Sequence, residues 1–359
     1  MPNPPSKNHY MIKTLSLALL LSASLALHAQ QATISNISGG AQKDHDLNFP
    51  VVKLPGAAAT RKINDYMQIN LLERTTLKAP GVQVFDRVKW TEKQTGIDAM
   101  TYTIHANNSQ LLSIGLEYEA MGAHPENYQE HFVFNSQRGE IIFPADIFTP
   151  QGMKELAGEV IRKRSDLIAA HLKQLKADPE TADNLESIKE NFTTCNKEAN
   201  LETFYVTATG IVFHKTSCLP HVIANLEAPL DITYSFDQLR SRLSAFGQKL
   251  LSPAKQDISK DSFPSLEKPL RGKIDNKYDI VMQLHFYGDH AVRGFYYYNN
   301  YQSAIELSGK FEKGRLELKE HDKDYNDTAV FEATVNGTAL SGSWTNVKTK
   351  KSLGFAVKN

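Results

Sequence analysis

The chain has 359 residues, 41% of them hydrophobic and 22% charged, and its 40 basic and 40 acidic side chains cancel. That length is enough for two domains with cores of their own. The balanced charge argues against bulk capture by nucleic acid or anionic lipid and leaves only local patches to consider.

The chain opens on a targeting pattern. Lys13 precedes an apolar run, Leu15 to Leu27, that ends in Leu27-His28-Ala29. A charged start, a short apolar stretch and a small residue make a secretory signal over residues 1–29, with cleavage expected after Ala29 and Met11 as an alternative start. The run is shorter than the roughly 20 residues that cross a bilayer, and no cysteine near Ala29 offers a lipid attachment point. The expected location is therefore periplasmic or extracellular, with no membrane anchor after cleavage.

Residues 30–46 are polar and Gly/Ser-rich and read as a flexible leader. From Leu47 the pattern becomes ordered. Leu47 to Leu54 reads as a strand. Ala59 to Leu77 reads as a helix, with Ile63, Tyr66, Met67, Ile69 and Leu71 near helical spacing and a stop at Ala79-Pro80-Gly81. Strands follow at Ala99 to Asn107 and Leu111 to Glu119. A further pair, His131 to Asn135 and Glu140 to Phe143, turns at Gln137-Arg138-Gly139. Thr149 opens a long helix to about Leu175, with an apolar stripe on Leu156, Val160, Ile161, Leu167, Ile168 and Leu172. Then come a short helix at Asn184 to Asn191, a hairpin from Phe204 to His214, a strand at Ile232 to Tyr234 and a helix from Phe236 to Leu251. Runs of strands with helices inserted predict an α+β domain over 47–251, an antiparallel sheet with packed helices.

Residues 252–269 hold three prolines and alternating charge and read as a linker. Beyond it, residues 270–359 carry short alternating strands from Tyr278 to Val357, with hairpin turns at Lys313-Gly314 and Asn336-Gly337. This pattern predicts an all-β meander closed into a small up-and-down barrel of about eight strands.

The two cysteines, Cys195 and Cys218, lie on either side of the Phe204 to His214 hairpin. An oxidising compartment allows them to pair and staple the hairpin's open end. Their spacing fits neither a redox CxxC nor a zinc site.

The candidate chemistry concentrates in one turn. His124, Glu126 and His131, with Glu130, could bind a metal or act as an acid/base pair. Pro125 argues against the helix that an HExxH site requires. The turn reading is therefore structural first, with Gly122 supplying permissive torsions, and Tyr118, Gly122, His124, Glu126 and His131 form the candidate contact surface for a partner. Asp146 reads as an acceptor for backbone N–H groups ahead of the following helix. Tyr296 and Tyr298 share one strand face and are the second candidate surface, while Trp344 reads as barrel core. No nucleophile elbow, phosphate loop or dinucleotide motif is present. The reading therefore assigns no catalytic residue, no metal and no cofactor.

The stretch from Tyr118 to Phe148 also carries a resemblance. An apolar strand ends in Tyr118, then come Gly122-Ala123-His124, an aromatic strand, a Gly turn and Asp146-Ile147-Phe148 before a helix. Phe49-Pro50-Val51-Val52 ahead of an Asn64-containing helix fits the same order, as do Phe204-Tyr205-Val206-Thr207 and Gly210-Ile211-Val212-Phe213. Over residues 47–251 the chain resembles the RsiV-like extracytoplasmic domain of unknown function, shared by an anti-sigma factor and the deacetylase PdaC. Met121 stands where that pattern usually has a second glycine, and neither a membrane helix, an anti-sigma segment nor a deacetylase domain is present. The resemblance implies an exported binding module for a protein such as a lysozyme-type hydrolase, or for a cell-wall glycan. The alternatives are a metal-dependent envelope hydrolase built on His124, Glu126 and His131, and a small-ligand carrier with a cavity in the C-terminal barrel.

Overall fold

A computed structural model describes residues 31–39, 46–73, 84–91, 95–122, 124–179, 181, 184–252, 254, 257–258, 269–287, 290–301, 304–322 and 324–359. The expected signal segment lies outside the described residues, as does most of the linker.

The N-terminal region is α+β. Strands β1 (Thr33–Gly39), β2 (Leu47–Lys53), β3 (Gly96–Asn107), β4 (Leu111–Met121) and β5 (Pro125–Asn135) form one sheet in that order. β2 meets β3 in parallel through Leu47 and Met100, and the other neighbours are antiparallel. The expected leader is corrected here: Thr33 to Gly39 forms a strand that pairs along the whole of β2. β5 is one long strand rather than a short one after a turn. Residues 140–143 contribute only a bridge at Ile141 to Phe134. The turn before that bridge requires glycine, because Gly139 has φ +70 and a Cβ there would fall 2.4 Å from the Ala59 carbonyl oxygen.

Helix α1 (Ala57–Leu72) crosses one face of this sheet. Ile63, Met67 and Leu71 join the core with Leu112, Ile114, Leu116, Phe132 and Phe134. Asn64 pins the helix to β2, donating to Val52 O at 2.7 Å and accepting from Val52 N at 2.9 Å. Such a buried amide with both ends satisfied fixes the helix's register on the strand.

The other face is covered only in its lower half. A second sheet, β6 (Phe204–Val206), β7 (Gly210–Phe213) and β8 (Ile232–Ser235), packs there with α2 (Pro144–Ile147) and α3 (Pro150–Lys176). Thr149 caps α3 by accepting from Gly152 N at 3.0 Å, and Asp146 accepts the Phe143 N–H at 2.9 Å, as the sequence suggests. Arg164 of α3 is fully buried and donates to the carbonyls of Leu230, Phe213 and His214 at 3.0–3.1 Å, tying the helix to the second sheet. Helix α4 (Leu185–Cys195) runs to the end of the expected disulfide, which joins Cys195 to Cys218 with an S–S distance of 2.04 Å. The predicted terminal helix is broken into α5 (Phe236–Leu239) and α6 (Ala245–Leu250), with Ser235 and Ser244 as separate N-caps.

The C-terminal region is a closed antiparallel barrel of β9 (Leu270–Ile274), β10 (Tyr278–Tyr287), β11 (Ala291–Tyr298), β12 (Ile305–Glu312), β13 (Arg315–His321), β14 (Asp327–Asn336), β15 (Ala339–Asn346) and β16 (Ser352–Lys358). β9 closes the ring by pairing with both β10 and β16. Lys313 and Gly314 turn with φ +51 and +79, the positive torsions a tight hairpin needs. The interior is filled: Met282, Leu284, Tyr296, Leu307, Leu318, Phe331 and Phe355 form one core. That is what an eight-stranded ring has room for.

The barrel docks on α1. Val281, Phe295 and Tyr297 point outward from the ring yet are buried, packed with Ile69 and Tyr66. Gln283 Nε2 donates to Lys62 O at 3.3 Å, and the rings of Tyr66 and His285 meet edge to face at 5.1 Å. Helix α1 is thus held between the sheet and the barrel. This explains why its apolar residues are spread round the helix instead of forming one stripe.

Candidate functional site

Strand alternation sorts the candidate residues onto two faces of the first sheet. Tyr118, Glu126, Tyr128 and Glu130 lie on the α1 side. The Tyr118 and Tyr128 rings stack at 5.2 Å with 15° between their planes, and Tyr128 OH donates to Glu126. Burial, helped by the charge of Glu130, pushes the Tyr118 hydroxyl up to about 12. His131 lies on the opposite face, five positions from Glu126, an odd spacing that sends the two side chains apart. His124 sits exposed in the turn before β5, about 20 Å along the strand from His131. His124, Glu126 and His131 therefore do not converge, which removes the geometric basis for a hydrolase built on them. Gly122 is exposed, its N–H donates to His124 O at 3.3 Å, and its φ is not positive, so the turn does not use its special torsional freedom.

The face that carries His131 holds a cluster the sequence reading did not assemble. Gly115 pairs with His131, and His105 follows Ile104 at a bulge in β3. A Cβ at position 115 would fall 2.6 Å from His105 Nε2 and 3.1 Å from His131 Nδ1, so glycine is what admits both imidazoles. The His105 and His131 ring centroids are 5.4 Å apart, and His131 and His214 are 5.0 Å apart. Tyr205 of β6 stacks on His105 at 4.0 Å and tilts against His131 at 4.8 Å. His214 Nδ1 and Asp231 Oδ1 are 2.9 Å apart.

Burial controls the cluster's charge. Both ring nitrogens of His131 and Nε2 of His105 are buried without a hydrogen-bond partner. Desolvation, then His214 and His105, drive the His131 imidazole down to about 4. Desolvation also lowers His105, against the pull of Glu117. Burial pushes Asp231 up most strongly, but the hydrogen bond and charge of His214, the Lys215 N–H and His131 together outweigh it and leave it below the usual carboxylate range. At neutral pH, His131 is uncharged and its nitrogens are shut off from solvent, a poor arrangement for proton transfer to a substrate. Among the described residues no three His, Cys, Asp or Glu side chains are placed to hold a metal ion. An isolated glycine inside the strand Leu111 to Glu119 was the sequence signal for this close approach.

Above the cluster the same face is open. Asp46, Asn48, Ala99, Thr101, Glu117, Glu119, Asn127 and Gln129, with the strand segments at Met100, Tyr118 and Tyr128, line a groove of about 550 Å³. Among the described residues its lining contains three carboxylates and no basic side chain. Tyr118, a sequence-predicted contact residue, borders it.

The second predicted surface is placed differently. Tyr296 is 1% exposed inside the barrel, its hydroxyl 2.7 Å from Glu320 Oε2. It is closed to a partner. Tyr298 is half-buried on the same inner wall, and the outward Tyr297 is spent on the contact with α1.

No protein-family model matches the chain, and no curated protein matches it. Its structural neighbours are DUF3298 family proteins, a domain of unknown function. One, from Bacteroides fragilis NCTC 9343, is 14% identical with a TM-score of 0.39, covering 61% of this chain and 94% of its own. Another, from Pseudomonas aeruginosa PAO1, is 15% identical with a TM-score of 0.36, covering 63% and 96%. Neither similarity is close enough to transfer a residue role. Among the described residues no helix is long and apolar enough to cross a membrane.

Proposed function

We propose that the chain is an exported, non-catalytic binding protein of the bacterial envelope, with an RsiV-like α+β domain that uses the open half of its first sheet to hold a cationic protein such as a lysozyme-type hydrolase. The observation that carries this reading is the groove whose carboxylates, Asp46, Glu117 and Glu119, have no basic neighbour among the described lining residues. Complementary charge of that kind steers a basic partner and sets the salt dependence of its capture. The predicted signal segment and the Cys195–Cys218 disulfide support an oxidising, extracytoplasmic setting. An uncharged or anionic cell-wall glycan suits this lining less well.

The test is a pull-down of the mature chain with lysozyme and, separately, with cell-wall fragments, at low and high salt. Salt-sensitive lysozyme binding that Glu117→Lys with Glu119→Lys abolishes is expected. Absence of lysozyme binding at about micromolar concentration sinks the assignment, and capture of the fragments alone replaces it with the glycan.

A further inference from the structure

One end of the barrel is built unlike the rest of its interior. Inward positions on β10, β11, β13 and β15 bring Tyr278, Tyr296, Tyr298, Glu320 and Trp344 to the same end of the ring. Glu320 is a carboxylate on the inner wall, in line with the buried Leu316 and Leu318. Its Oε2 accepts from Tyr296 OH at 2.7 Å and from Trp344 Nε1 at 3.0 Å, and its Oε1 accepts from Thr328 Oγ1 at 2.7 Å. All three donors are neutral. A carboxylate has about four acceptor positions, so one remains open, and among the described residues no cation is paired with the negative charge.

Aromatic rings lead outward from this carboxylate. Tyr296 packs edge to face on Phe331 at 5.3 Å, which closes the floor. Tyr296 meets Tyr298 at 5.5 Å, and Tyr298 meets Tyr278 at 6.2 Å. Exposure rises along the same path, from 1% at Tyr296 to 42% at Tyr278. Tyr301 and Tyr325, in the hairpins of that end, are 73% and 75% exposed. The rim already holds a cation against a ring face, since Lys277 Nζ lies 5.0 Å from the Tyr278 centroid.

We propose that this mouth is a binding site for a small organic ammonium ion, seated against the Tyr278 and Tyr298 rings with its charge directed at Glu320. Ring faces and a carboxylate both favour positive charge, and the half-buried Tyr298 ring strengthens the attraction. A neutral apolar ligand would leave the carboxylate uncompensated, and an anion would be repelled by it. The site is separate from the sheet groove and stands whether or not that groove captures a protein.

The test uses the intact chain carrying Trp90→Phe, which leaves Trp344 as the only tryptophan of the two in the sequence. Its fluorescence is followed during titration with tetramethylammonium, with n-butylammonium and with the neutral 3,3-dimethylbutan-1-ol, at constant ionic strength. A saturable change with an ammonium ion in the range of about 1 mM, absent with the alcohol, is expected. Preference for tetramethylammonium indicates a quaternary headgroup, and preference for n-butylammonium indicates a lysine-like amine. Glu320→Gln is expected to weaken binding about tenfold or more. An equal response to the alcohol, no response to either ion, or an unchanged affinity in folded Glu320→Gln overturns the proposal. Should Glu320→Gln fail to fold, Tyr278→Ala on the exposed rim decides, and an unaltered affinity there overturns it.

Discussion

The histidine cluster makes a sharp prediction about acid. His131 is held at about 4 against an ordinary 6.5. Between those values the unfolded chain binds a proton that the folded chain refuses, so stability present above about pH 6.5 is lost as pH falls toward 4. The full effect is about 3 kcal/mol, of which about 2.5 kcal/mol is lost by pH 4.5. The groups facing His131 are His105 on β3, Tyr205 on β6, His214 after β7 and Asp231 before β8, with Glu117 acting on His105. A second group masks the effect. Burial raises Asp65 on α1 from 3.8 to about 6, against the pull of Arg61. There the folded state takes the proton first, and acidification to pH 4.5 adds about 2 kcal/mol. The wild-type curve alone would therefore understate the loss from His131, because the Asp65 titration opposes it over the same range. His131→Phe keeps a ring of similar size, removes the orphaned nitrogens and leaves Asp65 untouched. Urea denaturation of both proteins from pH 7.5 to 4.5 should show wild type losing about 2.5 kcal/mol relative to the variant. A stability difference that stays constant to within about 0.5 kcal/mol across that range would refute the buried-histidine argument. Asp65→Asn supplies the converse, a wild-type-like His131 whose acid loss is no longer offset.

Three further outcomes follow from the packing. Arg164→Met should cost about 3 kcal/mol, because three buried carbonyls lose their donor, and thermal unfolding would report it. Reducing the Cys195–Cys218 bridge, which spans 23 positions, should destabilise the chain by about 3 kcal/mol in the chain-entropy view, read as a lower urea midpoint with and without reductant. Gly115→Ala should cost about 1–2 kcal/mol by pushing the His105 ring aside, and it should also shrink the pH-dependent difference between wild type and His131→Phe.

Much of the architecture was legible in the chain. Period-two alternation with Lys313-Gly314 and Asn336-Gly337 turns is a local signal, and it gave the barrel's strands and hairpins. Thr149, Asp146 and the two cysteines act through near neighbours or a single bond, so spacing was enough to place them. The strand Thr33 to Gly39 was missed because its polar Ser and Asn residues face solvent at a sheet edge, where pairing needs no apolar face. The site was legible only in part. His124, Glu126 and His131 are close in sequence, yet a strand sends odd-spaced side chains to opposite faces, so nearness in the chain became distance in the fold. His105, Tyr205, His214 and Asp231 come from four separate segments, and only Gly115 betrayed that bulky groups meet over that strand.

The two regions are also less independent than a linker reading suggests. Val281, Phe295 and Tyr297 face outward from a barrel that closes without them, so burying them serves contact with another element rather than the ring's own core. Helix α1 supplies that element, with Ile69 and Tyr66 turned to the barrel and Ile63, Met67 and Leu71 to the sheet. Ile258, within the expected linker, is itself buried and accepts from Asn135 Nδ2 at 2.8 Å. A chain fastened at these points resists bending at the boundary between sheet and barrel. The acidic groove and the tyrosine-lined mouth are then carried on one scaffold at a fixed separation. A partner that engaged both would gain the full advantage of two contacts without the cost of ordering a flexible hinge.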